Sequence, residues 1–300
     1  LDTVSHSMIV SCGARESLEW DLHGSGSLLT GLEYAFHTTL PVDIRSVGGV
    51  QSIEHDTTRD YAHELSASAD YTLRRGVFSL KAGLRGSFWY SDKAMGSLDP
   101  RLTLAVEVSP GHSLSFHAGT YRQYLHKVAV FDCGLPVDFW SVAQEGRPAR
   151  FALSGTIAYN WTSEDGKWSA AAEVYGKRLL NTQTCAAIML SLLENNFDYG
   201  KSILTGNGWN CGFDLTLQKT RGIFKGYLTY SHCIAMRRYE ELGNEWFAAD
   251  NTRRHNLNAV ATLAPWKNWS FGACFTLASG TPYTAPYYYY IVGYRLIVQY

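Results

Sequence analysis

Apolar and polar residues alternate along most of this sequence, often over ten or more positions at a time. In the segment 268–279 the apolar positions are Trp269, Phe271, Ala273, Phe275 and Leu277. Side chains two positions apart lie on the same face of a β-strand, so this period predicts strands with one apolar and one polar face. Similar runs predict about fourteen strands. They lie near 3–12, 15–23, 26–39, 59–74, 77–91, 100–109, 113–125, 150–163, 167–180, 207–219, 222–236, 254–264, 268–279 and 287–300.

The length and composition of these strands indicate a membrane barrel. Strands of globular proteins usually have about five or six residues, whereas a tilted membrane-spanning strand needs about 9–11. Many apolar positions are small, namely Ala67, Ala69, Ala170, Ala172, Ala259 and Ala261. The polar positions carry charges of both signs: Glu33, Asp70, Lys81, Arg85, Glu107, Glu173, Lys177, Asp214 and Lys225. We therefore expect an antiparallel up-and-down transmembrane β-barrel whose apolar face contacts lipid and whose polar face lines a wet or plugged lumen.

Short and long connections alternate along the chain. The short ones lie at 24–26, 74–76, 109–112, 164–166, 221–222 and 266–268, and the long ones at 40–58, 91–99, 126–149, 181–206 and 237–253. Outer-membrane barrels have short turns at one rim and long loops at the other. Aromatic residues also gather near predicted strand ends, where girdles at the membrane interface are expected. They include Trp89, Tyr90, Tyr121, Tyr124, Tyr159, Trp161, Trp168, Trp209, Trp266, Trp269 and Tyr287 to Tyr290.

Composition excludes several other classes of protein. Lys and Arg number 26 against 27 Asp and Glu, so the basic surface of a nucleic-acid-binding protein is not expected. The stretches of apolar residues are too short for a transmembrane helix. The six cysteines form no CxxC pair, which favours structural thiols over a metal site, with a Cys133–Cys185 disulfide as the alternative. His55 and His63 flank a charged segment that we interpret as a solvated external loop rather than a metal site. No catalytic constellation is present in the sequence, so neither an enzyme nor a cofactor site is expected.

Four segments resemble TonB-dependent outer-membrane receptors of the kind common in Bacteroidetes. They are GTYRQYLHKV with GLPVDFW within 119–140, GWNCGFDLTLQKTRGIFKGYLTYSHCIAMRRYE at 208–240, NTRRHNLNAV at 251–260, and FTLASGTPYTAP at 275–286. Departures from the family pattern occur at Asn256, which is inserted after His255, and at Cys233, which replaces a serine. The resemblance covers roughly residues 100–286, and residues 1–99 resemble the family only in style.

The resemblance implies part of a 22-stranded barrel with a plug in its lumen. At the strand spacing of this chain, 22 strands need roughly 460 residues. The chain has 300. We therefore expect residues 1–300 to be part of one outer-membrane β-barrel domain, internal or C-terminal, without the N-terminal plug domain. The family implies import of an iron chelate, a cofactor or a glycan across the outer membrane of a Gram-negative bacterium, driven by the TonB complex through the missing plug segment.

The long external loops are the candidates for ligand binding, because loops that mix aromatic and charged residues often bind ligands. The candidate residues are Asp138, Phe139, Trp140, Arg237, Arg238 and Trp246. A loop that only shields the barrel mouth is the alternative for each of them. Two other functions stay open at this point: a passive outer-membrane channel of about fourteen strands, and a soluble carbohydrate-binding or hydrolytic β protein.

Overall fold

The computed structural model describes residues 2–24, 26–47, 53–54, 59–132, 135–185, 199–250, 252–282, 288–292 and 295–299. Its strands are β1 (Asp2–Asp21), β2 (Ser27–Val47), β3 (Ile53–Glu54), β4 (Asp60–Arg75), β5 (Phe78–Tyr90), β6 (Ala94–Ser109), β7 (His112–Gln123), β8 (Leu125–Asp132), β9 (Leu135–Val142), β10 (Arg150–Thr162), β11 (Trp168–Cys185), β12 (Ile203–Lys219), β13 (Phe224–Arg238), β14 (Phe247–Ala248), β15 (His255–Trp266), β16 (Trp269–Ala278), β17 (Tyr288–Val292) and β18 (Arg295–Gln299). A short helix α1 (Tyr199–Ser202) precedes β12, and a 3-10 helix spans Glu240–Leu242.

One large antiparallel sheet forms the wall of the fold. Its order is β1-β2-β4-β5-β6-β7-β10-β11-β12-β13-β15-β16, with β3 paired to β2 and β14 paired to β13. Each wall strand therefore lies beside the wall strand that precedes it in the chain, and every pair is antiparallel. This up-and-down order confirms the predicted fold class, because it is the topology in which antiparallel strands build membrane barrels.

The two faces of the wall differ in the way that the sequence predicts. On β4, Leu65 is 47% exposed whereas Asp70 is 6% exposed. The same face of other strands exposes large apolar residues: Leu32, Leu84, Leu104, Ile157, Val174, Leu215 and Leu228. A soluble sheet would bury this face, so the exposed apolar face is the one that suits contact with lipid. We call it the outer face, and we call the polar face that carries Asp70 the inner face.

Four details of the strand prediction were wrong. The segments predicted at 3–12 and 15–23 belong to one continuous strand, β1, which ends at Asp21. Gly13 lies within this strand, where glycine fits because any Cβ would lie only 2.6 Å from the carbonyl oxygen of Tyr34. The segment 91–99 is mostly strand, since only residues 91–93 separate β5 from β6. The segment 126–149 contains the hairpin β8–β9, and the segment 287–300 contains the two strands β17 and β18.

Ion pairs between side chains of different strands hold the inner face together. Arg101 on β6 donates through Nε to Asp70 on β4 at 2.7 Å, although β5 lies between the two strands. Gly83 is the residue of β5 that faces both partners. A Cβ on Gly83 would lie 2.7 Å from Arg101 Nε and would also collide with the Asp70 carboxylate. The absence of a side chain at Gly83 therefore allows this partly buried ion pair to form.

We expect Gly83→Ala to lower the free energy of unfolding by about 2 kcal/mol, the usual cost of overpacking, because the added methyl group separates Asp70 from Arg101. The measurement is the unfolding midpoint in guanidinium chloride, followed by tryptophan fluorescence. Gly96→Ala on the neighbouring β6 is the control, since a Cβ there meets no atom within 4 Å. Equal midpoints for the two variants would contradict the prediction.

Candidate ligand-binding site on an inner hairpin

The hairpin β8–β9 leaves the wall between β7 and β10 and packs against β1, β2, β4 and β11. It therefore lies on the inner side of the wall, at the end where the long connections leave the sheet. Leu125 pairs with Val142 and Asp132 with Leu135, so the hairpin is paired along its whole length. The backbone N–H of Trp140 donates to Ser7 Oγ on β1 at 3.2 Å. The hairpin is thus a fixed part of the inner side and not a free loop.

The hairpin has one buried face and one open face. His126 lies opposite Ser141 and Val128 opposite Phe139, and all four side chains are fully buried. The open face carries Lys127 opposite Trp140, with Asp138 two residues along the same face. Lys127 forms an ion pair with Asp138, and their side chains are 57% and 32% exposed. The open face therefore combines a cation, a carboxylate and a half-buried indole ring.

Trp89 on β5 binds the chain to the wall just after the end of β9. Its side chain is fully buried, its Nε1–H donates to the carbonyl oxygen of Ala143 at 2.9 Å, and its ring stacks on that of Tyr124 at 4.8 Å. The prediction that Trp89 and Tyr124 belong to an interfacial girdle was wrong, because the hairpin buries both rings. Tyr90, the next residue, points to the outer face and is 49% exposed.

A buried cluster of basic residues lies beside the hairpin. Arg147 is 5% exposed, donates to Ser141 Oγ at 2.8 Å and lies 3.8 Å from an Asp60 carboxylate oxygen. Burial, together with the nearby charges of Arg150 and Arg147, lowers the pKa of His126 to about 3. Neither ring nitrogen of His126 has a hydrogen-bond partner in the described part of the chain. His126 is therefore a neutral imidazole near neutral pH.

Arg237 and Arg238 are adjacent in sequence, and their side chains lie on opposite faces of β13. Arg237 is on the inner face, where its Nη1 donates to Asn210 Oδ1 at 2.7 Å. Tyr239 is buried near it, and burial raises the pKa of the Tyr239 hydroxyl. Asp250 is exposed, but partial desolvation by its surroundings raises the pKa of its carboxyl. The guanidinium group of Arg237 is therefore part of a half-buried polar cluster at the rim.

Arg238 lies on the outer face together with Trp246. The centre of the Arg238 guanidinium is 4.9 Å from the centroid of the Trp246 ring, and that of Arg178 is 5.8 Å from the same ring. Trp209 also contacts Trp246, with ring centroids 6.4 Å apart. This cluster therefore lies on the same face of the wall as the exposed side chains of Val174, Leu215 and Leu228.

The structure divides the six predicted site residues into three groups. Asp138 and Trp140 share the open face of the hairpin, and Phe139 is on its buried face. Arg237 is on the inner face of the wall, and Arg238 and Trp246 are on its outer face. Lys127 was missed, although it completes the open face. The sequence carried no clear signal for it, because His126, Lys127 and Val128 do not alternate in polarity and the segment had been interpreted as a loop.

Other candidate chemistry has little support in the described residues. They contain no group of three or more His, Cys, Asp or Glu side chains that could hold a metal ion. His63 lies on wall strand β4 and not in a loop, with Nδ1 2.9 Å from the Tyr34 hydroxyl, and His55 lies outside the described residues. Cys12, Cys211, Cys233 and Cys274 are free thiols on wall strands, whereas Cys133 lies outside the described residues. No helix of the described chain has the length and hydropathy to cross a membrane.

Solved structures with the same fold are transport receptors. The FrpB iron transporter from Neisseria meningitidis superposes with a TM-score of 0.64 at 12% identity, covering 89% of this chain and 42% of that one. The ferric-catecholate import receptor Fiu from E. coli K12 superposes with a TM-score of 0.61 at 12% identity, covering 90% of this chain and 44% of that one. The ferripyoverdine receptor of the outer membrane of Pseudomonas aeruginosa superposes with a TM-score of 0.59 at 8% identity, covering 92% of this chain and 41% of that one.

These neighbours are TonB-dependent outer-membrane receptors. The chain has the fold of part of their barrels. It spans less than half the length of each of the three. The sequence matches no protein-family model, and no curated protein matches it either. At these identities the likeness extends to the fold, and the neighbours are transport proteins rather than enzymes.

Proposed function

We propose that this chain is part of the barrel of a TonB-dependent outer-membrane transporter, which imports a nutrient such as an iron chelate, a cofactor or a glycan. The transporter would reside in the outer membrane of a Gram-negative bacterium. It would receive energy from the TonB complex through a plug domain outside these 300 residues. The observation that carries the proposal is the inner hairpin, which holds a charged and aromatic surface inside a wall whose outer face is apolar.

The open face of the hairpin supplies the three kinds of contact that orient a polar ligand. Trp140 offers a ring on which a planar or sugar group can stack. Lys127 donates hydrogen bonds and carries positive charge, whereas Asp138 accepts hydrogen bonds. Lys127 and Asp138 form an ion pair with each other. A ligand that offers both a donor and an acceptor can bind each of these side chains in place of the other, so that neither charge loses its partner. Arg237, on the inner face near the rim, is a further candidate contact.

We expect Trp140→Ala to reduce uptake about tenfold at limiting ligand concentration, because a buried aromatic contact often dominates binding energy. The full-length gene would be expressed in cells that lack their own receptors, and uptake of radiolabelled ferric catecholate, ferric hydroxamate, cobalamin and maltooligosaccharide would be measured. Tyr90→Ala is the matched control, since Tyr90 is an exposed aromatic residue on the outer face. If the two variants take up every imported compound equally well, Trp140 does not contribute to ligand binding.

The same cells without TonB distinguish an energy-coupled receptor from a passive channel. We expect uptake to fall to background when TonB is deleted. Uptake that continues unchanged, in proportion to the external concentration, would instead establish a passive outer-membrane channel.

A further inference from the structure

The cluster of Arg178, Arg238, Trp209 and Trp246 lies on the outer face of the wall, as its strand register shows. Arg178 pairs with Trp209, and Arg238 pairs with Asn207. The pairing of β12 with β13 is continuous, without a β-bulge. Side chains an even number of residues apart share a face. Arg178 therefore shares a face with Val174, and Arg238 with Leu228, which are 62% and 44% exposed. The cluster belongs to the apolar face that suits lipid.

The cluster also lies at one edge of the apolar band. Trp168 stands at the other end of β11, where its ring lies 5.0 Å from Lys219 Nζ. The ten steps from Trp168 to Arg178 at about 3.3 Å per residue, on a strand tilted by about 40°, rise about 25 Å, the height of the apolar band of a membrane barrel. Arg178 therefore reaches the level of the lipid headgroups, at the rim where the long connections leave the sheet.

The two arginines concentrate positive charge at this level. Both guanidinium groups lie within 6 Å of the one Trp246 ring. Within the described chain, neither of them forms an ion pair with a carboxylate, although Glu240, Glu241 and Glu245 are exposed in the same segment. Two like charges beside one indole ring are most stable when an anion lies between them. The planar guanidinium fork binds phosphate oxygens in pairs.

We propose that Arg178 and Arg238, supported by Trp246, bind the phosphate of a lipid headgroup in the leaflet at this rim. The inference rests on the proposed function in one respect, namely that the wall lies in the outer membrane. The indole rings of Trp209 and Trp246 lie at the boundary between acyl chains and headgroups, where tryptophan is favoured. The arginine stems cover apolar surface while their guanidinium groups reach the phosphates. Arg238 and Trp246 thus contact lipid, and Arg237 remains on the side of the imported ligand.

The test measures binding of diphosphoryl lipid A to the full-length protein in detergent by native mass spectrometry. Each arginine beside a charged membrane surface contributes about 1 kcal/mol, so we expect about fivefold weaker binding for Arg238→Gln and about 25-fold weaker binding for Arg178→Gln/Arg238→Gln. Lys177→Gln is the matched control, because Lys177 precedes Arg178 and its side chain lies on the inner face. It should bind lipid A like the wild type. Dephosphorylated lipid A should bind the wild type and the double variant equally.

Three outcomes would overturn the inference. The first is equal affinity of the double variant and the wild type for diphosphoryl lipid A. The second is an equal loss in the Lys177→Gln control, which would show a general effect of charge. The third is displacement of lipid A by millimolar inorganic phosphate, which would show a site for the free anion. Failure of this inference leaves TonB-dependent uptake intact, whereas failure of the proposed function appears as TonB-independent uptake, so the two are distinguishable.

Discussion

Trp89→Ala is expected to detach the inner hairpin from the wall while the wall itself remains folded. Replacing a fully buried tryptophan with alanine costs about 3–5 kcal/mol. Here the loss includes stacking on Tyr124 and the hydrogen bond to the carbonyl oxygen of Ala143. These contacts join β5 to the end of the hairpin, so their loss favours local opening. We expect the amides of Leu125–Val128 to exchange with solvent at least about 100-fold faster, measured by hydrogen–deuterium exchange with mass spectrometry.

A graded variant tests the anchoring role of Trp89. Trp89→Phe keeps an aromatic ring against Tyr124 but removes the Nε1–H donor and part of the indole volume, so it should increase exchange of the same amides by a smaller factor, about tenfold. Exchange in the wall strands β4 and β11 should stay unchanged in both variants. Equal exchange of the hairpin amides in wild type and Trp89→Ala would show that Trp89 does not anchor the hairpin.

Acid is expected to open the hairpin through His126. Burial lowers the pKa of this residue from 6.5 to about 3 in the folded state. Below pH 6.5 the opened state binds a proton that the closed state does not, so closing loses stability as the pH falls, until the pKa of the closed state is reached. Each pH unit in this window costs about 1.4 kcal/mol, so at pH 4.5 the open fraction should be about 100-fold larger than at pH 7.5. Limited proteolysis of the full-length protein across this pH range measures the change.

The variant His126→Leu tests the assignment, because leucine fills part of the same buried space and does not titrate. Its hairpin should open to nearly the same extent at pH 4.5 and pH 7.5. Asp60 is a carboxylate 3.8 Å from Arg147, and Asp60→Asn should leave the pH response of the hairpin largely in place. A wild-type hairpin that resists protease equally at both pH values would contradict the role of His126.

The sequence predicted the wall well because its signal is local and repeated. An alternation of period two marks both the existence of a strand and the orientation of each side chain. Leu65 and Asp70 lie on the faces predicted for them. The short turns were also predictable, since Gly76 and Gly111 have φ values of 58° and 77° that glycine adopts readily.

The hairpin was not predicted, because β8 lacks the clear alternation of the wall strands: residues 128–131 are four apolar residues in a row. Nothing local in such a segment tells whether it pairs within the wall or folds back across the inner side, because that choice depends on distant contacts such as Trp140 to Ser7. The same reasoning applies to Trp89 and Tyr90. Their position at a strand end suggested a girdle for both, but adjacent residues face opposite sides, so only one of them could belong to it.

The split between Arg237 and Arg238 was within reach of the sequence. The two were grouped because they share a charged segment, whereas the alternation of β13 places neighbours on opposite faces. The association of Arg238 with Trp246 was harder to predict, because Trp246 reaches the outer face from the segment between the 3-10 helix and β14. Seven residues lie between Arg238 and Trp246, and no strand period relates the two.

The junction that flanks the hairpin has a consequence for how such a protein can change. Gln123, the last residue of β7, pairs directly with Arg150, the first residue of β10. Strands β7 and β10 therefore stay paired up to the two residues that flank the hairpin segment. The segment between Gln123 and Arg150 leaves the sheet and returns to it at adjacent positions. Insertions, deletions or wholesale replacement there leave the register of every wall strand unaltered. Evolution can therefore exchange this inner segment for another one while the apolar outer face of the wall stays the same.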